Sequence, residues 1–308
     1  MLDQIRGLHH VTAMAKDARR NNHFYTRVLG LRRVKQTVNF DAPDVYHLYY
    51  ADGAGTPGTV MTFFPFPDSG PGVPGAGEAG LTSFAVPRGA LPFWRERLEE
   101  TGEVRTDALF GEDRLLFKGP DGERLALVER PGDARAPWTG NGVGEAEAIR
   151  GFGGVTLTLR DAQATAELLK FMGYREEGIE GRLTRFRRPD GNGADVVDIE
   201  TAPEAPHARL GAGSVHHVAF AVENRAAQID VRRGLTEAGF GITPVIDRDY
   251  FYAIYFRTPG GVLFEVATNE PGFARDEDPD HLGEALKLPA QHAHLRPVLE
   301  KHLEPLED

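Results

Sequence analysis

The 308-residue chain contains no cysteine. Disulfides, thiolate nucleophiles and sulfur-ligated metal sites are thereby excluded, so any metal must sit on nitrogen and oxygen. Long apolar runs are missing as well, none approaching the roughly 20 residues of a membrane span. The start, Met1-Leu2-Asp3-Gln4-Ile5-Arg6, carries an acid and lacks the long apolar segment of a secretory leader. A cytoplasmic protein without a membrane partner is the expectation. Positive charge is scarce: 35 Lys and Arg face 46 Asp and Glu, for a formal net charge of −11. The basic residues are single or in short pairs such as Arg19-Arg20 and Arg187-Arg188, so no basic stripe awaits a phosphate backbone and nucleic acid is not an expected partner.

What is present is a globular, turn-rich composition, 41% apolar and 26% charged, with 36 Gly and 21 Pro. A strand-like opening followed by a helical stretch recurs four times. Module 1 opens at Leu8-His9-His10-Val11-Thr12, continues through a helical segment from about Asp17 to Val28 that stops at Gly30, and adds strand-like runs at Val34–Val38, Val45–Tyr50 and Val60–Phe64. Module 2 opens at Leu81–Val86, is helical over Leu91–Glu100 and closes through Asp121–Val128. Module 3 opens at Gly153–Leu159 and is helical from Ala162 to Met172, before Gly173. Module 4 opens at Val215-His216-His217-Val218, is helical near Ala226–Ala238, before Gly239, and closes at Gly260–Val266. The pattern predicts an α+β fold of four βαβββ modules in two tandem domains.

Between modules 2 and 3 the stretch Pro131–Gly151 is rich in Gly and Pro and reads as a linker. The expected division is an N-terminal domain over residues 1–135, a linker over 136–151, a C-terminal domain over 152–273 and a charged tail over 274–308. That tail carries a helix from His292 to Leu303 and packs across the body. The spacing G-x-G-x-x-G at Gly70, Gly72 and Gly75 is broken by Pro71 and Pro74, and no helix follows at once, so it reads as an ordinary loop.

The chemistry is signalled by comparing modules. With 11 His in the chain, composition alone gives on the order of 0.4 His-His dipeptides. There are two, both at the same place in the repeat, while modules 2 and 3 carry Leu81 and Gly154 there. Side chains alternate across a strand, so one ring of each pair is expected to face a shared site and its neighbour to point away. Glu265 lies inside the apolar run Val262-Leu263-Phe264 and Val266-Ala267, where a carboxylate is costly unless something pairs with it. Its counterparts in modules 1 and 2 are Thr62 and Ala126. Two histidines and one carboxylate form the set whose open coordination positions suit Fe(II) and dioxygen.

These residues resemble a known group. The segments Gly7-Leu8-His9-His10-Val11-Thr12, Val215-His216-His217-Val218 and Gly261-Val262-Leu263-Phe264-Glu265-Val266 are similar to the vicinal oxygen chelate superfamily and, within it, to the hydroquinone-cleaving extradiol dioxygenases. In catechol-cleaving members all ligands lie in the second domain, whereas here modules 1 and 4 share them. The resemblance implies His10, His217 and Glu265 as ligands of Fe(II), with Mn(II) as the alternative metal, O₂ as co-substrate and a small aromatic diol as substrate. It implies His9 and His216 as groups supporting the ligands and Thr12, Arg248 and Tyr255 near the substrate. A phenolate bound to iron needs a cation or donor near its oxygen, and reduced oxygen needs a proton source. For Tyr255 an ordinary strand aromatic, and for Arg248 beside Asp247 and Asp249 a solvated ion pair, are the plainer readings. His23 and His47 read as structural or pocket-lining residues.

Two other functions compete. A glyoxalase-like lyase or isomerase of the same fold would use four protein ligands, and Thr62 stands where the fourth would come. A metal-free, drug-sequestering protein would need neither the two histidines nor the buried glutamate. Homo-oligomerisation is left open.

Overall fold

The computed structural model describes residues 1–306. Each module folds as strand, helix and three strands. In module 1, β1 (Leu8–Ala15) leads to α1 (Ala18–His23), whose last turn widens to a π-helical one over Phe24–Val28. Asp17 caps α1 by accepting the Arg20 N–H at 2.8 Å, satisfying one of the donors that a helix start leaves open. Gly30 then turns the chain at φ +68°, a conformation that suits glycine. β2 (Arg32–Val38), β3 (Tyr46–Ala51) and β4 (Val60–Pro65) complete the module.

Module 2 comprises β5 (Glu78–Val86), α2 (Leu91–Glu99), β6 (Arg105–Leu109), β7 (Glu112–Lys118) and β8 (Arg124–Glu129). Module 3 comprises β9 (Gly151–Leu159), α3 (Gln163–Phe171), β10 (Arg175–Glu180), β11 (Leu183–Arg187) and β12 (Val196–Thr201). Module 4 comprises β13 (Val215–Val222), α4 (Arg225–Glu237), β14 (Ile246–Asp247), β15 (Phe251–Arg257) and β16 (Leu263–Pro271). No helix among the described residues is long and apolar enough to cross a membrane. In the tail a 3-10 segment over Ala290–Leu295 precedes α5 (Arg296–His302), which buries Leu299 and Leu303 in the main core.

The strands form two curled eight-stranded sheets. One runs β14-β15-β16-β13-β1-β4-β3-β2 and the other β10-β11-β12-β9-β5-β8-β7-β6. Modules 1 and 4 therefore share a sheet through the antiparallel pair β1 and β13, and modules 2 and 3 share the other through β5 and β9. The Gly70–Gly75 loop carries no helix. It makes short bridges to the segment before β13, at Pro71 with Ala212, Val73 with Arg209 and Ala76 with His207.

One expectation fails at the seam between modules. Along β1 and β13, Leu8 pairs with Phe220 and His10 with Ala219, then Thr12 with His217 and Ala13 with Val215. His9 and His216 are the extra residues of two β-bulges, which break strict alternation and re-aim the local side chains. The other seam has the same two bulges, at Gly80 and Gly153. Adjacent rings in each His pair consequently lie edge to edge with centroids 5.0 Å apart, instead of on opposite faces.

Candidate metal centre

β1, β13 and β16 lie side by side, which brings His10, His217 and Glu265 together although they come from the two ends of the chain. Their exposures are 2%, 4% and 0%. His10 Nε2 lies 3.2 Å from His217 Nε2 and 3.3 Å from Glu265 Oε2, and His217 Nε2 lies 2.9 Å from the same oxygen.

Hydrogen bonding fixes which ring nitrogens carry protons. His9 Nε2 faces the Thr268 carbonyl at 3.2 Å, and a carbonyl can only accept, so Nε2 carries the hydrogen and Nδ1 of the neutral ring accepts. His9 Nδ1 lies 2.9 Å from His10 Nδ1, which must therefore donate and leave His10 Nε2 with a lone pair. His216 Nδ1 lies 2.7 Å from His217 Nδ1, and this pairing presents a bare His217 Nε2 when His216 is the acceptor. The polar side-chain neighbours of Glu265 Oε2 are the two histidine rings. Three unprotonated ligand atoms thus face one another, an arrangement that is repulsive alone and fits a cation between them. Edges of about 3 Å are those of one face of an octahedron with metal–ligand distances of ~2.1 Å.

The electrostatics agree. Burial, reinforced by His10, pushes His9 down to about 3, against the opposing effects of Glu265 and the Thr268 bond. Burial and the neighbouring His217 push His216 down to about 4, and burial also lowers His217. Burial pushes Glu265 up, but the positive charge and donated hydrogen bonds of His10 and His217, when these carry protons, outweigh it and hold the carboxyl well below its usual range, and a bound cation would act in the same sense. Neutral rings and an ionised carboxylate are the forms that ligate.

The triad forms the floor of a cavity of about 340 Å³. Tyr255 stands opposite Glu265 in register, its ring 5.7 Å from that of His217. Burial and the Glu265 charge raise its pKa, so the phenol keeps its proton. Arg248 Nε donates to Tyr255 Oη at 3.3 Å, and its Nη1 reaches Asp41 at 3.3 Å. Arg248, Tyr255 and His216 line the cavity. His216 combines a place in the cavity lining with its bond to His217. His9 stands behind His10. Thr12 is also behind the wall, with its hydroxyl 3.1 Å from that of Thr62.

His47 belongs to the cavity, not to the ligand set: Nε2 meets Thr62 Oγ1 at 2.7 Å and Nδ1 meets Tyr49 Oη at 2.8 Å. His23 is exposed on α1. Sequence reasoning missed Tyr49, which stands opposite Thr62 just as Tyr255 stands opposite Glu265. It also missed Phe251, whose ring lies 4.9 Å from that of His10. The repeat register could have found Tyr49, while nothing local marks Phe251.

The family model described as "Glyoxalase/Bleomycin resistance protein/Dioxygenase superfamily" matches residues 7–127 and 115–266. The chain is 44% identical over 309 residues to a Bacillus subtilis (strain 168) protein named "Putative ring-cleaving dioxygenase MhqO", covering 100% of this chain and 98% of that one. It is 36% identical to the chlorohydroquinone/hydroquinone 1,2-dioxygenase of Sphingobium indicum, covering 94% and 93%. A crystal structure from Bacillus subtilis subsp. subtilis str. 168 superposes with a TM-score of 0.95 at 43% identity, covering 99% of this chain and 98% of that one. With two tandem modules pairs matched and the paired-sheet architecture in place, the chain belongs to the glyoxalase/bleomycin resistance protein/dioxygenase superfamily.

Proposed function

We propose that the chain is an Fe(II)-dependent ring-cleaving dioxygenase that opens hydroquinone-like aromatics next to a hydroxyl-bearing carbon, using both atoms of O₂. The observation that carries this reading is the buried triangle of His10 Nε2, His217 Nε2 and Glu265 Oε2, with Thr62 and no fourth ligand at the remaining module position. Iron held there would supply open positions at which dioxygen and one phenolate meet. Relatives named ring-cleaving and hydroquinone dioxygenases support the same chemistry.

The chain's own groups perform the rest. His9 and His216 hold the two ligand rings in the tautomer that presents Nε2, and each adds basicity through its hydrogen bond. A para-diol can give the metal only one oxygen, so its orientation must come from the protein. Arg248 places a positive charge beside the Tyr255 hydroxyl, where a developing phenolate is stabilised. Tyr255, kept protonated, and His216, neutral and lining the cavity, are the groups that hold and deliver protons during cleavage. Phe64 and Phe251 provide apolar walls that exclude water from the ring.

Anaerobic loading with Fe(II), followed by oxygen-electrode assays on hydroquinone, methylhydroquinone and catechol, tests the reading. One O₂ consumed per ring opened is expected, with the hydroquinones preferred. Strict preference for catechol, or turnover without oxygen uptake, would overturn it.

A further inference from the structure

Among the buried charged side chains that the chemistry above leaves unused, Lys35 is buried most completely. Lys35 lies on β2 and has no exposed surface. Such a group is retained inside a protein only when it is paired. Its Nζ donates to Asp276 Oδ1 at 2.7 Å and to Glu277 Oε2, both in the tail beyond β16. It also lies 4.6 Å from the centre of the Tyr250 ring. Tyr250 in turn donates its hydroxyl to the other oxygen of Asp276 at 3.0 Å. One carboxylate therefore bridges a lysine of module 1 and a tyrosine of module 4.

Tyr250 sits in the turn from Arg248 to Phe251, whose two ends reach the metal centre. Arg248 bonds Tyr255, and Phe251 packs on His10. Within the turn Asp249 has φ +65°, a left-handed conformation that side chains disfavour and neighbours must hold. The tail supplies those holds. Arg275 Nη1 donates to the Asp249 carbonyl at 2.7 Å, and the Gly272 N–H donates to the Tyr250 carbonyl at 2.9 Å. Phe273 stacks on Tyr250, with ring centres 5.4 Å apart.

We infer that Lys35, Asp276 and Tyr250 are positioning residues, which lock the Arg248–Phe251 turn so that the Arg248 guanidinium is preset against Tyr255 before substrate arrives. The substrate that profits rests on the function proposed above, whereas the locking of Arg248 does not. A long, rotamer-rich arginine is useful as an oxygen clamp only if its base is fixed, and a misplacement of about 1 Å from a distant change can cost on the order of 100-fold in rate.

Asp276→Ala and Tyr250→Phe test the inference, the second removing a single hydroxyl so that folding is not at issue. The first readout is the Arg248 Nε–H correlation in ¹⁵N NMR of the protein loaded with diamagnetic Zn(II), assigned by its absence in Arg248→Lys. In both variants it is expected to broaden or lose its protection from exchange. The second is steady-state kinetics on hydroquinone, with kcat falling about 10-fold, KM changing less than 3-fold and one metal retained per chain. The third is the double variant Arg248→Lys with Asp276→Ala, expected to be no worse than Arg248→Lys alone because both act through one side chain. An unchanged Arg248 signal in both single variants, or additive losses in the double variant, would overturn the inference. Failure of the wild type to take up oxygen with any hydroquinone would instead overturn the proposed function and leave the NMR result to stand.

Discussion

Asp198 occupies in the second sheet the register position that Glu265 occupies in the first. Glu265 pairs with Ala219, two residues beyond His217, and Asp198 pairs with Thr156, two residues beyond Gly154. Across from each stands a residue of the neighbouring strand, Tyr255 for Glu265 and Arg185 for Asp198. No histidine accompanies Asp198. Arg185 instead grips it with two bonds of 2.9 and 2.8 Å and reaches Glu112 at 2.6 Å. A guanidinium thus neutralises the carboxylate in the cup that lacks the histidine pairs.

Removing that guanidinium is expected to be costly. Arg185→Met leaves Asp198 buried without its cation, while Glu112 keeps Arg130, and such a change typically destabilises by about 3 to 5 kcal/mol. Urea unfolding of Arg185→Met, and of Arg185→Met with Asp198→Leu, gives the test. The double variant should recover much of the loss; equal losses in both would show that charge is not the cause.

In the first cup the proposed metal would neutralise Glu265 instead. Ala at His10, His217 or Glu265 is expected to reduce divalent-metal affinity by at least 100-fold and to abolish oxygen uptake. Metal analysis after equilibrium dialysis decides it, and full metal content in Glu265→Ala would sink the ligand assignment.

His9 and His216 never reach the ligand position, yet each fixes a ligand's tautomer. Loss of such a partner generally costs 10- to 100-fold in metal affinity or activity. His9→Ala should show its loss chiefly in metal affinity. His216→Ala should show an added fall in kcat, because His216 also faces the cavity. Comparing Kd for the metal with kcat at saturating metal separates the two, and identical profiles would contradict the distinction.

Tyr255→Phe is expected to lower kcat on hydroquinone by roughly 100-fold, within the range of a single proton donor. Catechol chelates through two oxygens and needs less orientation, so its turnover should fall far less. Parallel losses on both substrates would argue against an orienting role for the phenol.

A separate pH effect comes from Glu123, at 3% exposure, which accepts the Tyr25 hydroxyl at 3.1 Å. Burial, with a smaller push from Asp121, raises it from 4.5 to about 7, against the Asp121 N–H and Tyr25 bonds that lower it. A raised carboxyl favours the folded state fully below pH 4.5, and that contribution is lost as pH climbs through 7. Glu123→Gln should therefore flatten the fall in stability between pH 5 and 9. The gain at the alkaline end is at most on the order of 3 kcal/mol, from 1.36 kcal/mol per pKa unit. Unfolding curves at pH 5, 7 and 9 that shift in parallel for both proteins would exclude Glu123 as the source.

The module openings and the meeting of His10, His217 and Glu265 were legible because two His-His pairs recur at one repeat position and Glu265 interrupts an apolar run. Strands β6 and β10 were not, since Arg105–Leu109 and Arg175–Glu180 are largely exposed and offer no apolar alternation. The bulges at His9 and His216 were invisible for a different reason. A bulge is a property of the pairing between β1 and β13, whose ligands His10 and His217 are 207 positions apart, and no local pattern encodes it. The Lys35 latch was hidden likewise, as its carboxylates arrive from the tail.

The nesting of the sheets sets an order of assembly. Modules 2 and 3 are neighbours in the chain, and the segment between Val86 of β5 and Gly151 of β9 is about a third as long as the one between Ala15 of β1 and Val215 of β13. Closing a loop costs more as it lengthens, so the inner pair is the cheaper one to form first. Once it has formed, the first and last modules are brought together and the remaining closure is short. The cup without the histidines is therefore expected to form ahead of the one that carries them, and neither half of the chain, made alone, holds all three residues of the triad.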